Sequence, residues 1–121
     1  MKPEPTSLVI SNTPVEHAEE IARTLVERQA AACVTLSPVK SVYRWEGQVC
    51  VDEEVTLTAK VSESCVTRCV QVIESLHPYD LPEILVLSVD HKRSSYAYQS
   101  WVAAECKTEV KQMRDMYDEC K

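Results

Sequence analysis

Apolar and polar positions follow two different periods along this chain, and the switches between them mark out its elements. Residues 6–11 enclose the apolar run Leu8-Val9-Ile10 and predict a short buried strand. In Thr13-Pro14-Val15-Glu16 a capping Thr precedes a Pro at the first helical position and a Glu at the third, which predicts a helix start. Val15, Ala18, Ile21, Ala22, Leu25 and Val26 then recur at helical spacing, and Ala30-Ala31-Ala32 leads into the next strand. Cys33 to Trp45 reads as strand with a bend expected at Ser37-Pro38, because a strand Pro belongs at an edge or a bulge. Tyr43 and Trp45 share a face, and Glu46-Gly47 is a hairpin turn with Gly47 supplying the positive φ. On the return strand Val49, Val51, Val55, Leu57 and Ala59 share one face, interrupted by Glu53. Asp52, Glu54, Thr56, Thr58 and Lys60 occupy the other face.

A second helix is predicted from near Ser62, with Val66, Cys69, Val70, Ile73 and Leu76 on one stripe. The loop His77-Pro-Tyr-Asp-Leu-Pro-Glu83 precedes a continuous apolar run, Ile84 to Val89, which predicts a strand covered on both faces. Ser94 or Ser95 caps a third helix carrying Tyr98, Trp101 and Val102, and Thr108 to Lys121 is polar with helical propensity. The order strand, helix, strand, strand, helix, strand is the split β-α-β pattern of a ferredoxin-like fold. The hairpin is long for that fold: arms of about twelve residues reach roughly 40 Å at about 3.3 Å per residue. A compact domain of this size is about 35 Å across. The excess must bend or project, and its apolar alternation continues into the part that projects. Such an edge invites a partner strand, and cyclic self-association is the economical answer.

Composition narrows the function classes. At 121 residues the chain is expected to form one domain, with a core over about 7–104 and a helical tail over 105–121. A formal net charge of −6 argues against attraction to nucleic acid or anionic lipid. No segment reaches the ~20 apolar residues that span a bilayer, and the first residues lack the pattern of a signal peptide, so a cytoplasmic address is expected. Six cysteines include no Cys-x-x-Cys spacing and are expected reduced, three of them as small hydrophobes within apolar periodicity. One glycine in the whole chain excludes a Gly-rich phosphate loop.

Several motifs occur in a fixed order: Ala32-Cys33-Val34, Ser41-Val-Tyr43-Arg-Trp45-Glu-Gly47, Glu54 and Lys60, His77-Pro78-Tyr79 with Pro82-Glu83, and Tyr96 or Tyr98 with Trp101. Together they span about residues 7–102, and in them the chain resembles the CutA family of divalent-cation tolerance proteins. The resemblance implies an α+β, ferredoxin-like protomer with extra C-terminal helices, assembled as an intertwined homotrimer akin to PII-type signalling trimers. It implies divalent-metal tolerance, with copper binding attributed to some members, and no enzymatic activity or required cofactor. Bacterial relatives are credited with a Cys at the end of the first strand and a pair of His before the Pro-Tyr. The corresponding positions here are Ser11 and Leu76, so His77 alone of that set is present.

The candidate metal ligands are therefore His77, through a neutral imidazole, and Cys33, through a soft thiolate suited to Cu(I). Against ligation stand a loop-positioning hydrogen bond for His77 and plain packing for Cys33. Tyr43, Trp45, Tyr79 and Trp101 are candidates to line an inter-subunit pocket, with Glu54, Lys60, His77 and Glu83 as its polar groups. The same aromatics suit an ordinary interface, and a buried Lys60–Glu pair would either tune a ligand or fix strand register. Cys65 and Cys69 stand at i, i+4 and are taken as structural. Asp80 and Glu83 form no general acid–base pair, and no Ser or Cys lies by a His–carboxylate relay. A small-ligand sensor and a scaffold for a protein partner stand as rival readings to metal tolerance.

Overall fold

The computed structural model describes residues 3–108; the tail helix expected over 108–121 falls almost wholly outside them. Four strands and three helices follow in the order β1 (Thr6–Thr13), α1 (Val15–Glu27), β2 (Cys33–Trp45), β3 (Gln48–Ser62), α2 (Val66–Leu76), β4 (Leu85–Ser88) and α3 (Tyr96–Glu105). A single 3-10 turn, Glu63–Cys65, precedes α2. The strands form one antiparallel sheet in the order β2-β3-β1-β4. This is the ferredoxin-like arrangement expected from the order of elements.

One sheet face is closed by α1 and α2. Val9 of β1 and Val55, Leu57, Ala59 and Val61 of β3 point into it, as period 2 requires. They pack against Ala18, Ile21 and Leu25 of α1 and Cys69, Val72 and Ile73 of α2. Arg68 is also buried on α2, its Nη1 donating to the Lys107 carbonyl at 3.1 Å. α1 ends in a Schellman cap: the N–H of Ala30 reaches Leu25 O at 2.9 Å, and that of Gln29 reaches Val26 O at 3.0 Å. Gln29 fills the left-handed position at φ 57, and its side chain donates to Glu105 O at 3.2 Å, tying α1 to the end of α3.

Local differences from expectation have physical causes. Thr13 does not cap α1. It is still paired with Val55 in the sheet, its side chain is fully buried, and among the described residues its hydroxyl has no hydrogen-bond partner. Pro14, with an extended ψ of 146°, takes the cap position instead of the first helical one. No extra residue enters β2 at Pro38, because the register runs unbroken from Cys33↔Lys60 to Trp45↔Gln48. β2 is an edge strand, where Pro is tolerated without a bulge. The turn needs two left-handed residues, Glu46 at φ 50 and Gly47 at φ 78, as a two-residue hairpin loop demands. Ser95, not Ser94, caps α3, its hydroxyl accepting from Tyr98 N–H at 3.2 Å.

The largest difference concerns β4. Its apolar run predicts a strand covered on both faces, yet β4 is the other edge of the sheet and Leu85, Val86 and Leu87 are about half exposed. The described residues leave them only partly covered. The hairpin keeps its expected length, 13 residues in β2 and 15 in β3, and its far half extends beyond the helices with Val42, Val49 and Val51 exposed.

Candidate functional site

The His77–Glu83 loop follows α2 and comes round against the sheet face opposite the helices. Its anchor is His77, which is buried. His77 Nε2 lies 2.8 Å from the Asn12 carbonyl, and Nδ1 lies 3.2 Å from the Tyr79 N–H. A carbonyl only accepts and an amide N–H only donates, so Nε2 carries the hydrogen and Nδ1 is the acceptor. Both ring nitrogens are thus engaged in holding the loop. Asn12 is itself fixed, its Oδ1 accepting from Thr56 Oγ1 at 2.6 Å across the β1–β3 pairing.

Between this loop and the far half of the hairpin lies a cavity of about 740 Å³. β2 contributes Ser41, Val42, Tyr43 and Trp45, and β3 contributes Glu54. Asn12 lies at its floor, and Pro78, Tyr79, Asp80, Leu81 and Glu83 form the loop side. Ser41, Tyr43 and Trp45 share a face because alternate strand residues do, and the register sets Glu54 opposite Val39 on that face. Tyr79 closes one corner by donating from its hydroxyl to Glu54 Oε2 at 3.0 Å. Glu54 is 7% exposed, and among the described residues Tyr79 is its hydrogen-bond partner. The Tyr43 hydroxyl donates to Asp52.

These contacts set the phenol chemistry. The bond to Asp52, which needs the proton in place, pushes Tyr43 up to about 12. Burial, then the bond to Glu54, pushes Tyr79 up to about 12. Both phenols are therefore neutral donors at any physiological pH.

Of the expected site residues, Tyr43, Trp45, Glu54, Tyr79 and Glu83 line this cavity, and His77 supports it from beneath. Lys60 and Trp101 do not join them. Lys60 lies six residues along β3 from Glu54, about 20 Å at about 3.3 Å per residue. Its Nζ donates to Thr35 Oγ1, so within one chain the expected Lys60–Glu pair is replaced by a hydroxyl contact. Trp101 sits on α3 with its ring centroid 5.6 Å from that of Tyr98. Cys33 pairs with Lys60 at that same far end of the sheet, so it is not brought to His77. Asn12, Ser41 and Asp80 were missed as lining residues. The available signals were Ser41, which alternates with Tyr43 and Trp45 on β2, and Asn12, a polar residue closing an apolar strand.

The cysteines group elsewhere. Cys65 and Cys69 are fully buried in the helical core, and burial raises Cys69 to about 12. The Cys106 thiol beside Cys65 holds Cys65 below the usual thiol range, and Cys106 is raised in turn. Among the described residues no group of three His, Cys, Asp or Glu side chains is placed to hold a metal ion. No helix among them is long and apolar enough to cross a membrane.

Comparison with known proteins gives one consistent result. Residues 7–105 match the family described as CutA1 divalent ion tolerance protein. Protein CutA of Homo sapiens is 38% identical over 86 residues, covering 70% of this chain and 47% of that protein. The divalent-cation tolerance protein CutA of Thermus thermophilus is 36% identical over 91 residues, covering 74% of this chain and 88% of that one. This chain thus spans about half the length of its human and mouse relatives and most of the bacterial one. Among solved structures, the PII-like protein CutA from Nostoc sp. PCC 7120 in apo form superposes with a TM-score of 0.82. It is 46% identical, with 84% of this chain and 97% of that one covered. CutA1 from Oryza sativa gives a TM-score of 0.82 at 29% identity, covering 87% of this chain and 96% of that one.

Proposed function

This chain belongs to the CutA1 divalent ion tolerance protein family, and from that premise we propose that it is a cytoplasmic, non-enzymatic homotrimer that binds a small ligand in the cavity between hairpin and loop. The observation that carries the reading is the cavity itself, preformed and walled by Tyr43, Trp45, Tyr79 and the buried Glu54. A concave site with a few convergent polar groups is the usual form of a small-molecule site. The PII-like description of the Nostoc relative points the same way. Binding rather than catalysis is supported by the described lining, in which Ser41 has no His beside it and Glu54 is held by the Tyr79 hydroxyl.

Among the described residues the protomer leaves two apolar regions exposed, the hairpin tip and the β4 edge, which supports a closed assembly, and three is the count the CutA resemblance implies. An unpaired edge and a projecting hairpin on one chain make a head-to-tail contact, which closes as a ring when the rotation permits. Sedimentation equilibrium of the reduced protein at micromolar concentration should return three chain masses; a clean monomer overturns the assembly. The ligand reading is checked by a thermal-shift screen of small metabolites, read against Tyr79→Phe. A hit that raises Tm in the parent by several degrees and less in the variant is the expected result. A blank screen defeats it.

Copper binding is the second reading, favoured by the family description and by relatives named for divalent-cation tolerance. His77 would be the first ligand and Cys33 a distant second. The described donor set of one chain does not fit a resident ion, since both His77 nitrogens hold the loop and Cys33 lies at the far end of the sheet. An anaerobic Cu(I) and Cu(II) competition titration decides it. Fixed stoichiometry per chain that weakens in His77→Ala would make metal binding the working function.

A further inference from the structure

The cavity walls carry charge of one sign. Glu54, Asp80 and Glu83 bring three carboxylates, and among the described residues of one chain no lining residue is Lys, Arg or His. Lys60, the cation that would have drawn an acidic or phosphorylated ligand, is outside the lining and donates to Thr35. Three aromatic rings, Tyr43, Trp45 and Tyr79, make up much of the remaining wall. Aromatic faces attract cations through the ring quadrupole, and an ammonium loses less on desolvation when a ring and a carboxylate replace its water. An anion would meet the buried Glu54 with no cationic side chain in the described lining to offset the repulsion.

An inorganic ion fits this inventory less well than an organic one. The carboxylates are spread over β3 and the loop, and no three donors among the described residues are close enough to enclose a point charge. A volume of about 740 Å³ is many times that of a metal ion. It falls in the range of drug-sized sites, roughly 300–1,000 Å³. Separated negative groups with aromatic surface between them match a molecule with separated positive groups and apolar carbon between those.

We propose that the cavity takes a small organic polycation of the di- or polyamine class. This rests on the ligand-cavity reading above. Glu54 is the fixed end of the site, oriented by Tyr79 with acceptor capacity left over, since a carboxylate offers about four lone-pair sites. Asp80 and Glu83 take a second amino group from the loop side, and Trp45 and Tyr43 cover the carbon chain between.

The test is isothermal titration of the full chain in its native assembly, using spermidine, adenosine triphosphate and magnesium chloride at matched ionic strength. Glu54→Gln removes the charge and keeps an acceptor for Tyr79, while Trp45→Leu removes a half-exposed ring. Glu74→Gln, an exposed acid on α2, is the charge-matched control. Spermidine should bind once per chain, weakened about ten-fold by each cavity substitution and unchanged by the control. Equal weakening by Glu74→Gln, or the same heat from magnesium, means diffuse charge attraction and overturns the proposal. Saturable nucleotide binding without spermidine binding overturns the polycation and leaves the ligand cavity standing. Silence from all three probes also overturns it, and the broader reading then falls only if the metabolite screen is blank too.

Discussion

The two halves of the β2–β3 hairpin are written in the same alternating pattern and meet opposite fates. At the base, Val55 is 9% exposed and Leu57, Ala59 and Val61 are 0% exposed beneath α1 and α2. At the tip, Val49 and Val51 continue the same face of the same strand and are 66% and 57% exposed. Between them stands Glu53, the one charged residue on that face. Period 2 decides that a segment is a strand and which residues share a side. It says nothing of what lies over that side. The base is closed by helices of its own chain, whereas the tip has an apolar face that none of the described residues covers. An exposed apolar face of this kind marks an interaction site.

That contrast is sharpest in the response to one substitution in each half. Leu57→Ala opens a cavity under the helices and should cost about 2–5 kcal/mol in urea unfolding. Val51→Asp lies outside that core, so the circular dichroism of the folded chain should persist while the sedimenting species shifts from the proposed trimer towards monomer. Were Leu57→Ala to cost under about 1 kcal/mol, the base would not be the core described here. Were Val51→Asp to leave the assembly intact, the tip would not be part of the subunit contact, and the two halves would differ in exposure alone.

The same division governs what could be read from the sequence. Helices, strands, the hairpin and its turn follow from periodicity and turn chemistry, which are local. Three of the cavity's residues were legible because β2 and β3 alternate so regularly that Tyr43, Trp45 and Glu54 share a face. Tyr79 and Glu83 came with the loop motif. Within one chain Lys60 does not reach Glu54, because sharing a strand face does not bring two residues together when six positions separate them. β4 shows the same limit as the tip: an apolar run reports that a strand is to be covered and is silent on whether its own chain does so. Thr13 was given a cap role by its neighbour Pro14, yet its pairing with Val55 held it in the sheet. Long-range pairing overrode a local signal.

A smaller effect is expected where the halves join their turn. Gly47 sits at φ 78, and a Cβ there would meet nothing within 4 Å. Gly47→Ala therefore carries a purely conformational cost of about 1 kcal/mol. Glu46→Gly at φ 50 should recover a similar strain or be neutral, since the flexible residue also gains entropy when unfolded. Stability curves of the two variants moving in the same direction would show that the turn is held by something other than its backbone conformation.

The smallest effect appears only in alkali and compares two tyrosines raised for different reasons. Tyr43, on the tip, goes up to about 12 chiefly through its bond to Asp52, and Tyr79, on the loop, goes up to about 12 chiefly through burial. A raised phenol pKa means that folding favours the neutral form. Stability from these groups is thus fully present below pH 10, the unperturbed value, and is lost as pH rises through about 12. Tyrosinate absorbance against pH should show both ionising late in the folded protein and at the ordinary value in denaturant. Asp52→Asn removes the main cause for Tyr43 and should return it most of the way to 10. Glu54→Gln removes only the second cause for Tyr79, which should stay well above that value because burial persists. If instead Tyr79 returned fully in Glu54→Gln, its ring would be solvated, the loop would stand away from the sheet, and the cavity would lose the wall that makes it a site.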